Sequence, residues 1–368
     1  MIATRLRLRD FRGYASADVA LGAGLTVVHG ANGAGKTNLL EALYFGCTGR
    51  SCRTSNEREV VRFGAGPARV EVDLRDEEGR PHSLAVGFAP GEPKRLVSDG
   101  APVERLVDVQ TRPLVVVFLP DRLELVKGPP ALRRSHVDQL VAAAWPARAS
   151  TRRAYSQALA QRNALLARAR GDASRLLALP AWDAELARHG IALRDDRAAA
   201  IDLLAARFVS LAAALGLGDE VALRYRPRSR AASAQELAAE LAERTESDLE
   251  RGFTGHGPHR DDLALLRGGR ELRAYGSQGE QRLGLLALLL AEREALSAKR
   301  RSPPLMLLDD VMSELDPRRR SLLAELLAGE GQSIVTTTDL AHVPGGDAAT
   351  VTRLAVAAGV ILSDALAA

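Results

Sequence analysis

Eight consecutive residues near the start of the chain have the types and spacing of a phosphate-binding loop. They are Gly30, Ala31, Asn32, Gly33, Ala34, Gly35, Lys36 and Thr37. The stretch fits G-x-x-x-x-G-K-[ST] at every fixed position. Glycines let consecutive backbone N–H groups curve around a polyphosphate without side-chain clashes. Lys36 could reach the β- and γ-phosphates, and the Thr37 hydroxyl could ligate Mg²⁺. The spacing therefore predicts a nucleotide-binding loop.

Two adjacent aspartates near the other end of the chain could complete such a site. Asp309 and Asp310 directly follow the apolar residues 305–308. A carboxylate at the end of a buried strand is suited to hold Mg²⁺, directly or through water. We therefore predict that Lys36, Asp309 and Asp310 are the catalytic residues. Asp309 would also be the metal ligand, and Asp310 would polarise the attacking water. The alternative is a pair of aspartates that only cap a helix.

A short polar segment upstream of these aspartates opens a long helical pattern. Its residues of interest are Ser277, Gly279 and Glu280. A hydroxyl and a backbone N–H at a helix N-terminus form a phosphate-binding device. The same residues also fit a capping box, in which Ser277 and Glu280 satisfy the first turn of the helix. Taken alone, the segment favours the cap.

The elements around these residues should bring the loop and the aspartates together. The apolar residues 25–28 predict a strand before the loop, and residues 38–45 predict a helix after it, whose positive end faces the bound anion. Strands alternate with helices again after residue 250, which indicates a largely parallel, helix-covered sheet. Asn38, in the first turn of the loop helix, is added to the predicted nucleotide-binding residues.

A region rich in Ala, Leu and Arg interrupts this pattern. From about residue 131 to 249 its spacing predicts four or five helices of moderate length. We therefore predict an α/β fold in two domains. Residues 1–128 and 251–368 would form a split P-loop ATPase domain, and residues 129–250 an inserted, mainly α-helical domain.

Composition limits the possible partners and locations. The chain has 368 residues and a formal net charge of +4, and 26% of the residues are charged, which permits nucleic acid as a partner without requiring it. Cys47 and Cys52 are the only cysteines, so neither a disulfide framework nor a zinc site is expected. No signal segment or membrane-length apolar run occurs. We expect a cytoplasmic protein that does not contact membranes.

The order of these motifs resembles that of the ATP-binding cassette family and, more narrowly, the heads of the structural-maintenance-of-chromosomes (SMC) proteins and related repair ATPases. The resemblance implies an SMC-head-like ATPase fold that binds ATP with Mg²⁺ and forms an ATP-dependent homodimer. Ser277, Gly279 and Glu280 would then contact the nucleotide held by the partner copy. Asp316 would lie in the loop that crosses between the copies, and Arg12 near the phosphates.

Two further stretches, residues 117–128 and 254–263, narrow the resemblance to the RecF family of bacterial recombination mediators. It implies binding of double-stranded DNA at gaps and single-strand/double-strand junctions, recruitment of RecR in the RecO–RecR pathway, and help in loading the recombinase. It also implies roles in DNA replication, recombinational repair and the SOS response. Hydrolysis would be weak and DNA-dependent, and would release the dimer. Asp310 is one methylene shorter than the glutamate of transporter ATPases, which favours slow turnover.

Arginines are the expected contacts to DNA phosphates, because the guanidinium is planar and always charged. The candidates are Arg133, Arg134, Arg148, Arg152, Arg153, Arg162, Arg224, Arg226, Arg228 and Arg230. His259 is interpreted as a structural, hydrogen-bonded histidine rather than a catalytic one. Two other functions stay open at this point: the cassette ATPase subunit of a transporter, and a P-loop kinase of small molecules.

Overall fold

The strand that precedes the glycine loop lies inside a six-stranded, largely parallel sheet. The structure is a computed structural model that describes residues 1–168, 177–218, 220–300, 302–329 and 331–363. The chain divides into two units, Met1–Arg122 with Leu296–Ala368, and Leu123–Ala295.

The first unit contains two sheets. The antiparallel sheet consists of β1 (Ile2–Phe11), β2 (Tyr14–Ala20), β4 (Ala68–Arg75), β5 (Pro81–Phe88), β6 (Arg95–Ser98) and β7 (Ala101–Pro102). The second sheet consists of β3 (Leu25–His29), β8 (Val115–Phe118), β12 (Leu305–Leu308), β13 (Ser333–Thr337), β14 (Thr352–Ala357) and β15 (Val360–Ser363). The strand order is β2-β1-β4-β5-β6-β7 in the former and β15-β14-β3-β13-β12-β8 in the latter.

Parallel pairing in the second sheet determines where the predicted site residues meet. Strand β13 pairs in parallel with both β3 and β12, and β8 and β14 continue the parallel set on either side. All residues of β12 and β13 are buried, as expected for central strands of a parallel sheet that is covered on both faces. The glycine loop follows β3 and Asp309 follows β12, so both lie at the same edge of the sheet.

Among the described residues, two α-helices lie entirely within the first unit, α1 (Lys36–Thr48) and α10 (Pro317–Ala328). Helix α1 packs closely on the antiparallel sheet at Gly46, where an added Cβ would come within 2.5 Å of the Val72 side chain. Phe45 on the same helix contacts Phe11 of β1, with ring centroids 5.6 Å apart. The helix that carries the end of the loop is therefore fixed by core packing.

The second unit is mainly helical. Its helices are α2 (Glu124–Lys127), α3 (Pro130–Ala144), α4 (Thr151–Arg168), α5 (Leu179–Ala214), α6 (Ala234–Glu243), α7 (Thr245–Arg251), α8 (Leu272–Tyr275) and α9 (Gln278–Arg300), whose last residues return to the first unit. Its strands are β9 (Val221–Arg226), β10 (Asp262–Arg267) and β11 (Arg270–Glu271), in the antiparallel order β11-β10-β9.

The inserted region differs from its prediction in two respects. Helix α5 has 36 residues and is not of moderate length, because its buried positions continue from one turn to the next without a break. Strand β9 lies among the predicted helices and pairs with β10. The proposed domain boundaries, at residues 128/129 and 250/251, stay a prediction. Within the described parts of the chain, none of the helices combines the length and apolar character needed to cross a membrane.

Candidate nucleotide-binding site

The glycine loop is closed around the amino group of its own lysine. Lys36 Nζ donates hydrogen bonds to the carbonyl oxygens of Gly30 (2.8 Å) and Ala31 (3.0 Å), and only 6% of the residue is exposed. The lysine is the first residue of α1. The geometry places a positive charge at a helix N-terminus, where backbone N–H groups have no partner within the helix.

At two positions of the loop, Gly30 and Gly35, the structure favours glycine over a residue with a side chain. A Cβ on Gly30 would lie 2.2 Å from the carbonyl oxygen of Val356, so the loop approaches β14 too closely for a side chain. Gly35 has φ +117°, and Tyr14 donates a hydrogen bond of 2.9 Å from its hydroxyl to the Gly35 carbonyl. Tyr14 was not predicted, because no local pattern distinguishes it from any other strand tyrosine.

The loop and the acidic strand end meet in one hydrogen bond system. Thr37 Oγ1 lies 2.9 Å from Oδ1 and 2.8 Å from Oδ2 of Asp309, although 272 positions separate the two residues. Burial raises the pKa of Asp309, which is 7% exposed, whereas hydrogen bonds from Thr336 and Thr37 and the nearby charge of Arg53 oppose that rise. The arrangement holds a carboxylate and a hydroxyl side by side.

These two side chains have the chemistry that Mg²⁺ prefers. Both donors are oxygens, and Mg²⁺ in nucleotide sites takes one or two protein oxygens together with phosphates and waters. In the portion of the chain with described structure, no group of three or more His, Cys, Asp or Glu side chains could hold a metal. The pair Thr37 and Asp309 therefore fits a metal that a bound nucleotide helps to hold.

Thr336, at the end of β13, is a site residue that the sequence interpretation missed. Its hydroxyl donates to Asp309 Oδ1 (2.7 Å) and accepts from the backbone N–H of Asp310 (2.9 Å). Asp310 has a left-handed backbone, with φ +45°, which is strained for a residue with a side chain. One sequence signal could have indicated Thr336: it is a polar residue that follows the apolar pair Ile334 and Val335 on the strand beside β12.

The predicted residues Arg12 and Asn38 have definite partners beside the loop. Arg12 donates from Nε (2.9 Å) and Nη2 (2.7 Å) to the two carboxylate oxygens of Glu41. Asn38 Oδ1 accepts a hydrogen bond of 3.0 Å from Arg53 Nη1. Glu41 and Arg53 were not among the predicted site residues, because their roles depend on contacts that no local motif displays.

Two of the three predicted residues at the start of α9, Ser277 and Glu280, form a capping box. Ser277 Oγ accepts from the Glu280 backbone N–H (3.3 Å), and Glu280 Oε2 accepts from the Ser277 backbone N–H (2.8 Å). These hydrogen bonds keep the pKa of Glu280 below its usual range. Ser277 and Gly279 are exposed. The segment therefore caps α9, and the first turn of this helix stays accessible.

Asp316 likewise caps a helix. Its Oδ1 accepts from the backbone N–H of Arg319 (3.0 Å) at the start of α10, and its Oδ2 pairs with the Arg319 guanidinium (2.9 Å). The pKa of Asp316 is lowered, chiefly by the backbone hydrogen bond from Arg319. Its proposed role between two copies stays a prediction.

The ten predicted DNA-contacting arginines fall into three groups by burial. Arg162 is fully buried and donates to Asp183 and Asp248 (2.6 Å each), and Arg133 is 2% exposed and pairs with Asp262 (2.7 Å), so the prediction is wrong for both. Buried guanidinium groups with carboxylate partners organise a core and cannot reach DNA. Arg134 is half-buried and donates to the Asp261 carbonyl oxygen (2.7 Å). The exposed candidates are Arg148, Arg152, Arg153, Arg224, Arg226, Arg228 and Arg230.

The structural interpretation of His259 is confirmed. Its Nδ1 lies 2.7 Å from the Tyr155 hydroxyl, and its Nε2 lies 2.9 Å from the Thr254 carbonyl oxygen. Burial lowers the pKa of His259 to about 4, so the ring is neutral near pH 7.

Relatives of the chain are found over nearly its whole length. Residues 5–106 match the AAA domain family. The chain is 41% identical over 344 residues to the DNA replication and repair protein RecF of Anaeromyxobacter sp. (strain Fw109-5), covering 91% of each sequence. It is 39% identical over 361 residues to the RecF protein of Streptomyces avermitilis, covering 94% of this chain and 95% of the relative.

Solved structures confirm the predicted fold class. A structure of the recombination mediator protein RecF with ATP has a TM-score of 0.88 and 25% identity, and covers 99% of this chain and 98% of that one. An Smc head, solved with the C-terminal winged-helix domain of ScpA, has a TM-score of 0.59 at 17% identity and covers 99% of this chain and 97% of its own. The latter likeness concerns the fold alone. With identities of about 40% over more than nine-tenths of its length, the chain belongs to the RecF family of DNA replication and repair proteins.

Proposed function

We propose that the chain is an ATP-dependent DNA-binding repair protein, in which ATP joins two copies of the chain on DNA. The observation that carries this proposal is the contact between Thr37 and Asp309, which unites the glycine loop with the acidic strand end. The family assignment favours this function over a transporter subunit or a small-molecule kinase. ATP binding is further supported by the RecF relative that was solved with ATP.

Each site residue of the first unit has a distinct role in the proposed nucleotide site. Lys36 and the loop N–H groups hold the phosphates, and Thr37 and Asp309 hold Mg²⁺, which neutralises phosphate charge when it is bound. Asp310 orients the attacking water. Its short side chain and strained backbone are consistent with slow hydrolysis, which suits a release step better than rapid turnover.

The second half of the site would come from a partner copy. Ser277, Gly279 and Glu280 are accessible at the N-terminal turn of α9, where hydroxyl and backbone N–H groups can meet phosphate. ATP would then hold the two copies head to tail, and hydrolysis would separate them. Asp316 would lie between the copies.

Duplex DNA is the proposed ligand of the dimer. The exposed arginines of β9 and the residues after it, Arg224 to Arg230, supply phosphate contacts that carry no sequence information. Binding at gaps and single-strand/double-strand junctions, recruitment of RecR in the RecO–RecR pathway, and help in loading the recombinase complete the proposal. They rest on the family assignment and on relatives described in the RecFOR pathway.

Sedimentation with and without ATP tests the dimer. We expect an ATP-dependent dimer of the wild type that is lost in Lys36→Met and in Ser277→Arg, with ATP binding retained only in the latter. Ser233→Arg is the matched control, because Ser233 also caps a helix in the second unit and accepts from the Glu236 N–H (3.1 Å). If Ser277→Arg dimerises as Ser233→Arg does, the partner-copy mechanism is wrong.

Salt dependence of DNA binding tests the arginine contacts. The logarithm of the affinity for duplex DNA should fall with the logarithm of salt concentration, with a slope of about −0.9 for each phosphate neutralised. Replacing Arg224 and Arg228 together with glutamine should reduce this slope by about 2. An unchanged slope would contradict the role of the β9 arginines.

A further inference from the structure

A buried carboxylate on α1 gathers two arginines beside the glycine loop. Glu41 is fully buried and accepts a bidentate pair of hydrogen bonds from Arg12. It also accepts from Ser51 Oγ (2.6 Å) and from Arg53 Nη1 (3.2 Å). The two carboxylate oxygens of Glu41 therefore accept four hydrogen bonds.

The position of Glu41 directs this cluster toward the phosphate end of the site. Glu41 follows Thr37 by one helical turn, so the two side chains lie on the same face of α1, and side chains of a helix tilt toward its N-terminus. Arg53 also bonds to Asn38, and a Cβ on Gly13, next to Arg12, would lie 3.5 Å from the Asn38 side-chain nitrogen. Both arginines therefore approach the first turn of α1.

The backbone at Arg12 is strained in a way that favours a functional role. Arg12 has φ +50°, a left-handed conformation that arginine rarely adopts. Such outliers cost about 1–3 kcal/mol and persist where the surrounding structure fixes them, often at ligand sites. Here the bidentate pair with Glu41 and a hydrogen bond from the Arg12 N–H to the Val60 carbonyl (2.7 Å) fix the residue.

The arginines keep the capacity to bind an anion. The bonds to Glu41 and Asn38 engage Nη1 of Arg53, and a guanidinium has five N–H donors in all. One third of the Arg53 side chain and 18% of the Arg12 side chain are exposed. Planar guanidinium groups are well suited to phosphate oxygens.

We propose that Glu41 is a positioning residue that holds Arg12 and Arg53 against the terminal phosphate of a nucleoside triphosphate, so that the site distinguishes ATP from ADP. This inference rests on the nucleotide binding proposed above. Lys36 and the loop N–H groups then supply affinity for both nucleotides, whereas the Glu41 cluster supplies the preference for the triphosphate.

Titration of the full chain with ATP and with ADP, each with Mg²⁺, tests the inference. Glu41→Gln keeps the shape of the side chain and removes its charge, and it should weaken ATP binding about tenfold while ADP affinity changes less than twofold. Glu71→Gln is the matched control, because Glu71 of β4 also pairs with two arginines, Arg7 of β1 and Arg69 of β4. It should leave both affinities unchanged. Equal weakening of ATP and ADP by Glu41→Gln would overturn the inference.

A double-mutant cycle separates positioning from a merely structural effect. Arg53→Gln should also lose the preference for ATP, and the double variant with Glu41→Gln should lose no more than the stronger single variant. Additive losses would overturn the inference. If Glu41→Gln does not fold, Arg53→Gln decides alone: a lost preference supports the inference, and an unchanged one overturns it. If Lys36→Met still binds ATP normally, the proposed nucleotide site itself fails, which is a distinct outcome.

Discussion

The two groups of predicted site residues are constructed in different ways. Lys36 and Asp309 are 6% and 7% exposed, and their group is joined by hydrogen bonds between residues far apart in the sequence. Ser277 and Glu280 bond to each other across three positions, and Ser277 is exposed. The first group depends on the packed sheet, whereas the second needs only the start of one helix. A locally formed, accessible turn is suited to meet a ligand that another copy holds.

This contrast predicts that substitutions in the first group affect binding and folding strongly, and that those in the second affect assembly with little effect on folding. Four variants test the contrast, and they are ordered by the expected size of their effect.

The largest effect is expected from Lys36→Met. Loss of the ammonium removes charge-assisted hydrogen bonds to phosphate, each worth about 1.5–3 kcal/mol, so ATP affinity should fall about 100-fold. Fluorescent nucleotide titration measures this loss. Lys94→Met is the control, because Lys94 pairs with Glu57 and the Gly49 carbonyl oxygen, outside the loop. A similar loss of ATP affinity in the control would show that the effect is not specific to the lysine of the loop.

Gly30→Ala should be the most destabilising change in the loop. Its Cβ would meet the Val356 carbonyl oxygen at 2.2 Å, so strand β14 or the loop must move, at a cost of about 2–3 kcal/mol. Gly33→Ala should cost only about 1 kcal/mol, because a Cβ there meets nothing within 4 Å and only the positive φ of 78° opposes it. Urea unfolding measures both. Equal losses would contradict the close approach to β14.

Asp309→Asn should stabilise the protein while it abolishes the response to Mg²⁺. Burial raises the pKa of Asp309, which means that the folded state disfavours the ionised carboxylate. A neutral side chain of the same shape should therefore raise the free energy of unfolding. The melting temperature with and without Mg²⁺ and ATP measures both effects. A lower melting temperature without ligand would contradict this account.

The last variant, Ser277→Ala, should have only a small effect on folding. Loss of a serine cap costs about 1 kcal/mol, and Ser233→Ala should cost the same because both serines accept from a glutamate N–H in the first turn. Thermal unfolding should not distinguish the two variants, whereas ATP-dependent dimer formation should weaken only in Ser277→Ala. If both variants dimerise alike, Ser277 is a cap and nothing more.

Local patterns predicted the parts of the fold whose signal lies in consecutive residues. The glycine loop, the strand before it and the acidic strand end were placed from residues 25–38 and 305–310, and the structure has β3, α1 and β12 there. Asp309 was assigned to the same site as the loop because a phosphate-binding loop needs a metal ligand, and the shared edge of the parallel sheet explains why the two meet. The contact between Thr37 and Asp309 follows from that argument.

The rest of the site depends on contacts that sequence spacing does not display. Thr336, Glu41 and Tyr14 join the site through the packing of β13, α1 and β2 around the loop, and each would be unremarkable in another fold. The prediction that Arg162 contacts DNA failed for a related reason. Arg162 has the same local setting as an exposed helical arginine, and only the approach of Asp183 and Asp248 makes it a buried residue.

The strand order of the parallel sheet has a consequence for the folding of the nascent chain. Strand β3, which carries the loop near the N-terminus, lies between β13 and β14, and both come from the last part of the chain. Ala3 of β1 likewise bonds to Gln332. Residues 333–357 must therefore have left the ribosome before β3 gains its neighbours, and such long-range pairing is slow. A chain that stops before residue 333 would lack both neighbours of the strand that carries the glycine loop.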